Sequence, residues 1–113
     1  MASEKYTWFL TATAEGDIDD ILSYIAGVLH NPEAAAAFAD KLEEELDTLC
    51  KSPKNGRLVE NDYLRRDDVR RILIDNYIAY YIINEKEKAI IVLRVVYGKR
   101  DQTPIVSSFD PAP

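Results

Sequence analysis

Val69 to Tyr97, reading VRRILIDNYIAYYIINEKEKAIIVLRVVY, decides the architecture of this chain. It divides into three apolar runs, Val69–Asp75, Tyr77–Ile83 and Lys88–Tyr97, separated by Asp75-Asn76 and by Asn84-Glu85-Lys86-Glu87. Runs of this length, rich in β-branched and aromatic residues and bounded by turn formers, are strands joined as hairpins. Successive strand residues point to opposite faces. In the second run Tyr77, Ala79, Tyr81 and Ile83 oppose Ile78, Tyr80 and Ile82. In the third, Ile91, Leu93 and Val95 oppose Ile90, Val92 and Val96. Both faces are therefore apolar, which means that both need a cover.

Upstream, Tyr6–Leu10 is a short aromatic run with strand character. Thr11 or Thr13 is placed to cap a helix, with Glu15 and Asp17 favourable to its dipole. Ile18, Ile21, Leu22, Ile25, Val28 and Leu29 recur at helical spacing and predict a first amphipathic helix ending near His30. Asn31 is a good N-cap and Pro32 suits the first helical position, where no backbone donor is needed. A second helix then carries Ala35, Phe38, Leu42, Leu46 and Leu49 on one stripe and ends at Ser52-Pro53 and Asn55-Gly56. So short a turn makes the two helices an antiparallel hairpin with one shared apolar side. Pro53–Asp68 has no period and reads as a long loop. Residues 102–113 hold three prolines and read as an extended tail.

The expected fold class is α+β: strand, helix, helix and a three-stranded meander, with the hairpin on one face of a small, twisted, mainly antiparallel sheet. All 113 residues fit one domain, with an ordered core at about 6–101. The second sheet face is left for the long loop, the tail or another polypeptide. A bare apolar patch of that size is rare on a monomer, which favours a partner.

The net charge is −6, unevenly spread. Met1–Cys50 holds Lys5 and Lys41 against eleven acidic residues, so that half carries −9 and the remainder +3. Every arginine lies beyond residue 50. Such a chain meets a nucleic acid only through a local basic patch. Cys50 is the single cysteine, which excludes an internal disulfide and a cysteine-rich metal site. No cofactor motif is present. Met1-Ala2-Ser3-Glu4-Lys5 lacks the order of a signal peptide, and no apolar run is long enough to span a bilayer. A cytoplasmic protein without membrane contact is expected.

Asn76-Tyr77-Ile78-Ala79-Tyr80-Tyr81 and Leu93-Arg94-Val95-Val96-Tyr97-Gly98-Lys99-Arg100-Asp101 resemble the RelE/ParE toxins. So does the earlier pattern Ala14, Asp17-Ile18, Ile21, Tyr24-Ile25, then Asn31-Pro32 and Ala35. The resemblance covers roughly Tyr6 to Asp101. It implies the toxin half of a type II toxin–antitoxin pair, neutralised by a cognate protein antitoxin that wraps its exposed surfaces. RelE-like members cleave messenger RNA on the ribosome, whereas ParE-like members disable DNA gyrase.

The resemblance also orders the candidate residues. The ribonucleases use basic residues on the first meander strand, an arginine just inside the next strand, an arginine after the last strand, and a later tyrosine or histidine. Arg70 or Arg71 matches the first feature and Arg100 the third. Ile78 occupies the second position, and neither tyrosine nor histidine lies near Val106. Arg70, Arg71 and Arg100 are thus candidate anion-binding or catalytic residues in an incomplete cleavage set, although Arg71 is as readily a solvated strand-end residue. Tyr77, Tyr80, Tyr81 and Tyr97 are candidates for partner contact as well as for packing. Arg94 is expected to pair with Asp17 or Asp20. Cys50 reads as an inert core thiol, and His30 as remote from any site. The balance leans towards ParE-like gyrase inhibition, with a ribosome-dependent endoribonuclease or a non-toxic antitoxin-binding relative as the alternatives.

Overall fold

The computed structural model describes residues 5–110. The aromatic run forms β1, Thr7–Leu10. Thr11 ends it and caps the first helix: its backbone is extended and its hydroxyl oxygen accepts the Ala14 N–H at 3.1 Å. The same hydroxyl donates to the Leu93 carbonyl at 3.1 Å, so the start of that helix, α1, Ala12–Ser23, is tied to the sheet. The regular helix is shorter than its periodicity suggests. At Tyr24–Val28 it widens into a π-helical turn, where the Leu29 N–H reaches back to the Tyr24 carbonyl at 3.0 Å. The extra residue rotates the side chains beyond it about the axis. Val28 and Leu29, which spacing places on the buried stripe, are 63% and 54% exposed as a result. His30 then turns the chain with φ of 52°.

Asn31 caps α2, Pro32–Lys51, by accepting the Ala34 N–H at 3.0 Å, and Pro32 occupies its first turn. Ala35, Phe38, Leu42, Leu46 and Leu49 are all buried. The supposed long loop contains a 3-10 turn at Pro53–Asn55 and a two-residue strand, β2, Arg57–Leu58. The meander comes next as β3, Arg70–Ile74, β4, Tyr77–Asn84, and β5, Ala89–Tyr97. The strand order is β1-β5-β4-β3-β2, with β1 parallel to β5 and every other pair antiparallel.

One face of the sheet packs Ile74, Ala79, Tyr81, Ile90, Val92 and Val95 against Phe38, Leu42, Leu46 and Leu49. The assignment of Val95 and Val96 by simple alternation is reversed. Tyr80 lies opposite Arg94 but Tyr81 lies opposite Val92, so Leu93 is an extra residue and β5 is bulged there. Beyond the bulge the parity changes, and Val95 joins the helix side while Val96 joins the other.

The second face is covered by the chain itself, which overturns the case for a partner there. The tail is not extended: Thr103–Ser107 form α3, and Ile105, Val106 and Phe109 bury against Val69, Ile78, Tyr80 and Val96. Val59 and Leu64 of the loop complete this second cluster. Arg65 donates to the Ser107 and Phe109 carbonyls at 3.4 and 3.5 Å, and Arg66 to the Asp110 carbonyl at 3.3 Å. Residues 111–113 of the expected extended segment lie outside the described residues.

Each of the three apolar tail side chains contributes about 1.5–3 kcal/mol by burial. Truncation before Thr103 is therefore expected to lower the urea midpoint sharply and to raise binding of a hydrophobic dye as Ile78 and Tyr80 are uncovered. An unchanged midpoint would show that the second cluster does not depend on the tail.

Candidate functional site

The site grows from Tyr81, which is fully buried. Its hydroxyl donates to the Pro53 carbonyl at 2.7 Å and accepts the Gly56 N–H at 3.0 Å, so the 3-10 turn is bolted to the core. Arg70 secures the same turn from outside, donating to the Gly56 and Lys54 carbonyls at 2.8 and 3.3 Å. The fixed turn delivers Arg57 into β2 directly opposite Arg71 of β3. A further ladder bond, Val59 N–H to the Val69 carbonyl at 2.8 Å, holds the register.

Arg57 and Arg71 line a cleft of about 660 Å³ together with Leu58, Val59, Glu60, Asn61, Tyr80, Gln102 and Val106. Tyr80 donates its hydroxyl to the Gln102 side chain at 2.6 Å, and Gln102 donates to the Arg100 and Tyr97 carbonyls at 2.7 and 3.2 Å. Burial pushes the Tyr80 phenol above its ordinary value, and the Arg71 charge only partly opposes this. The arrangement has two positive charges borne on paired strand positions and a phenol that holds its proton. It is suited to gripping an anion.

A second groove, also about 660 Å³, runs between the end of α1, the π-helical turn and the end of β5. Arg100, Asp20, Tyr24, Leu29, Tyr77 and Tyr97 are among its walls. Tyr77 is edge-on to Phe38 at 5.0 Å and to Tyr97 at 5.8 Å between ring centroids, which makes an aromatic ladder from the core to the rim. Tyr24 and Tyr97 are 49% and 44% exposed.

The sequence candidates are thus divided. Arg71 faces the cleft, Arg100 lies at the other groove, and Arg70 is held in a structural role, so the three do not converge. Tyr77 and Tyr97 line an open surface, Tyr80 is 2% exposed and meets only the floor of the arginine cleft, and Tyr81, at 0%, is closed to partner contact by its packing. Ile78 and Val106 are both buried in the second cluster, as packing residues. Arg94 donates to Asp17 at 2.7 and 3.1 Å. Cys50 packs against the first cluster, and burial raises its thiol pKa. His30 stands at the turn between the helices and is not among the lining residues of either cleft, although its neighbour Leu29 is.

Arg57 and Gln102 are not among the residues that the sequence singles out. A signal for Arg57 exists: Asn55-Gly56 is a turn pair, and Arg57-Leu58-Val59 after it has the alternation of a short edge strand. Gln102 carries no such signal, because only the folding back of α3 brings it to Tyr80.

The sequence profile of the ParE toxins of the type II toxin–antitoxin system parDE matches residues 9–102. The chain belongs to this family. Solved structures similar to it agree in fold with this ParE-family chain. The chromosomal ParDE toxin–antitoxin system from P. aeruginosa includes a chain 23% identical, with a TM-score of 0.65, covering 82% of this chain and 96% of that one. The toxin–antitoxin complex RelBE2 from Mycobacterium tuberculosis matches at 20% identity and a TM-score of 0.60, covering 83% and 99%. The archaeal RelE–RelB complex from Pyrococcus horikoshii OT3 matches at 17% identity and a TM-score of 0.57, covering 86% and 99%. No curated protein sequence matches the chain significantly. Among the described residues no helix is long and apolar enough to cross a membrane.

Proposed function

We propose that this ParE-family toxin arrests growth in the cytoplasm when free, is silenced by a cognate protein antitoxin, and acts on DNA gyrase rather than as a ribonuclease. The observation that carries the non-nuclease reading is the chemistry of the Arg57–Arg71 cleft. Cleavage through a 2′-hydroxyl needs a base and an acid besides charge stabilisation. The phenol beside the arginines is Tyr80, whose proton is held more tightly than usual, and burial fills the other two expected positions with Ile78 and Val106. The antitoxin reading is supported by the similar structures, which are toxin–antitoxin assemblies. One feature favours the ribonuclease alternative: Arg57 and Arg71 have the charge to hold a phosphate.

Induction of the chain without its antitoxin tests both. Growth arrest with intact messages and a DNA-damage response is expected. Ribosome-dependent cleavage of messages overturns the ParE-like reading, and normal growth despite a folded product makes the chain a non-toxic antitoxin binder.

Arg100 is the residue on which arrest should most depend. It leaves the sheet just after β5 at the rim of the aromatic groove, and its guanidinium has no hydrogen bond or ion pair among the described residues. Loss of a charged contact costs about 1.5–3 kcal/mol, roughly ten- to a hundredfold in binding. Arg100→Ala is expected to weaken arrest strongly with the melting temperature unchanged, while His30→Ala does neither. Full toxicity of a folded Arg100→Ala protein assigns Arg100 to the solvated rim.

A further inference from the structure

Arg57 and Arg71 are Cα partners across the β2–β3 ladder, and like charges directly opposite one another destabilise a sheet. Nearby arginines are satisfied within the chain. Arg66 donates to Asp68 at 2.6 and 2.8 Å, Arg65 reaches tail carbonyls, and Arg70 holds the Gly56 turn. Arg57 and Arg71 have no side-chain hydrogen bond or ion pair among the described residues, yet both line the cleft beside Tyr80 and a smaller one of about 290 Å³. Two arginines set side by side by backbone pairing, with Glu60 and Glu45 in the cleft walls but neither of them bonded to either guanidinium, form an anion site.

We propose that Arg57 and Arg71 form a clamp for a single carboxylate of a partner polypeptide, whose apolar neighbouring residues rest on the exposed Leu58 and the half-buried Val59. This rests on the reading that the chain is bound by a protein antitoxin, and it names the chemistry of one contact. A nucleic acid is the poorer fit. A strand tracks through several phosphates, and each needs its own cation. Here two free guanidinium groups are available, enough for one bidentate anion and too few for a run of phosphates. One carboxylate matches the paired charge, and Leu58 beside it, half exposed, offers an apolar rest.

The test is side-chain NMR of the full chain, following the Arg57 and Arg71 Nε–H signals during titration with N-acetyl-Leu-Glu-Leu-amide, its glutamine counterpart, and a short single-stranded RNA. Saturable shifts with the glutamyl peptide are expected, with binding about tenfold or more weaker for the glutamine peptide and for Arg57→Ala or Arg71→Ala. Arg57→Lys keeps the charge without the fork and should fall between. Equal binding of the glutamine peptide, no saturable shift, or saturation by RNA at lower concentration each overturns the clamp. Growth arrest on induction separates the two readings. Arrest with a silent cleft overturns the clamp alone, and peptide binding without arrest supports the clamp while removing the toxin reading.

Discussion

Gly56→Ala is expected to cost about 3 kcal/mol of stability, at the upper end for forcing one extra methyl group into a packed site. Its backbone φ is −74°, which any residue adopts, so conformational freedom is not what the position requires. It requires space. A Cβ here would lie 2.8 Å from the Arg71 carbonyl oxygen and 2.7 Å from Tyr81 Cε1, and closer still to the Tyr81 hydroxyl. Tyr81 cannot swing aside, because it is fully buried and its hydroxyl is held by Pro53 and Gly56. The backbone must therefore move, which breaks the Gly56–Tyr81 hydrogen bond and shifts Arg57 out of line with Arg71. Tyr81→Phe removes the hydroxyl but leaves the Arg71 carbonyl in place. The double variant is thus expected to lose less than the sum of the two single losses. Urea unfolding of the four proteins checks this, and a loss below about 1 kcal/mol for Gly56→Ala would show that the turn is not pinned as described.

Asp17→Ala is expected to cost about 2–3 kcal/mol, somewhat below the 3–5 typical of breaking a fully buried pair, because both side chains keep some solvent contact. Asp17 accepts three hydrogen bonds: from Arg94 Nε at 2.7 Å, Arg94 Nη2 at 3.1 Å and the Val95 N–H at 3.0 Å. The last is tied to the bulge. Where Leu93 has no partner on β4, the ladder is interrupted, and the carboxylate supplies the acceptor that the Val95 N–H needs. Removing Asp17 strands this donor and leaves Arg94 unpaired at 20% side-chain exposure. Asp17→Asn keeps an acceptor for Val95 and should lose distinctly less. Arg94→Met removes the charge with its partner still solvated in part, and should also lose less than Asp17→Ala. Equal stability of the Asp17→Ala and Asp17→Asn proteins would mean that the Val95 contact contributes nothing.

Arg94 can be assigned an acidic partner on α1 from sequence because a lone arginine in an apolar strand must be compensated, and Asp17 and Asp20 are the acids at hand. The structure selects Asp17. Arg71 is legible as a charge on a sheet, but the neighbour that makes it a clamp is hidden in a segment with no period. Arg70 differs from Arg71 by one position and therefore by one face, which separates a fastener of the turn from a wall of the cleft.

Local pattern alone determined the succession of β1, α1, α2 and the three-stranded meander, the Asn31-Pro32 start of α2 and its buried stripe, though not β2 or α3, because caps and periodicities act within a few residues. It also determined that both sheet faces needed a cover. What supplied that cover depended on tertiary structure. A five-residue helix such as α3 has too few hydrogen bonds to be stable by itself and exists because Ile105, Val106 and Phe109 find the second sheet face. The same holds for the π-helical turn that exposes Val28 and Leu29, and for the bulge that sends Val95 and Val96 to opposite sides. Each shifts a face by a single residue. Such a shift is settled by contacts between segments far apart in the chain, as when Asp17 meets Val95.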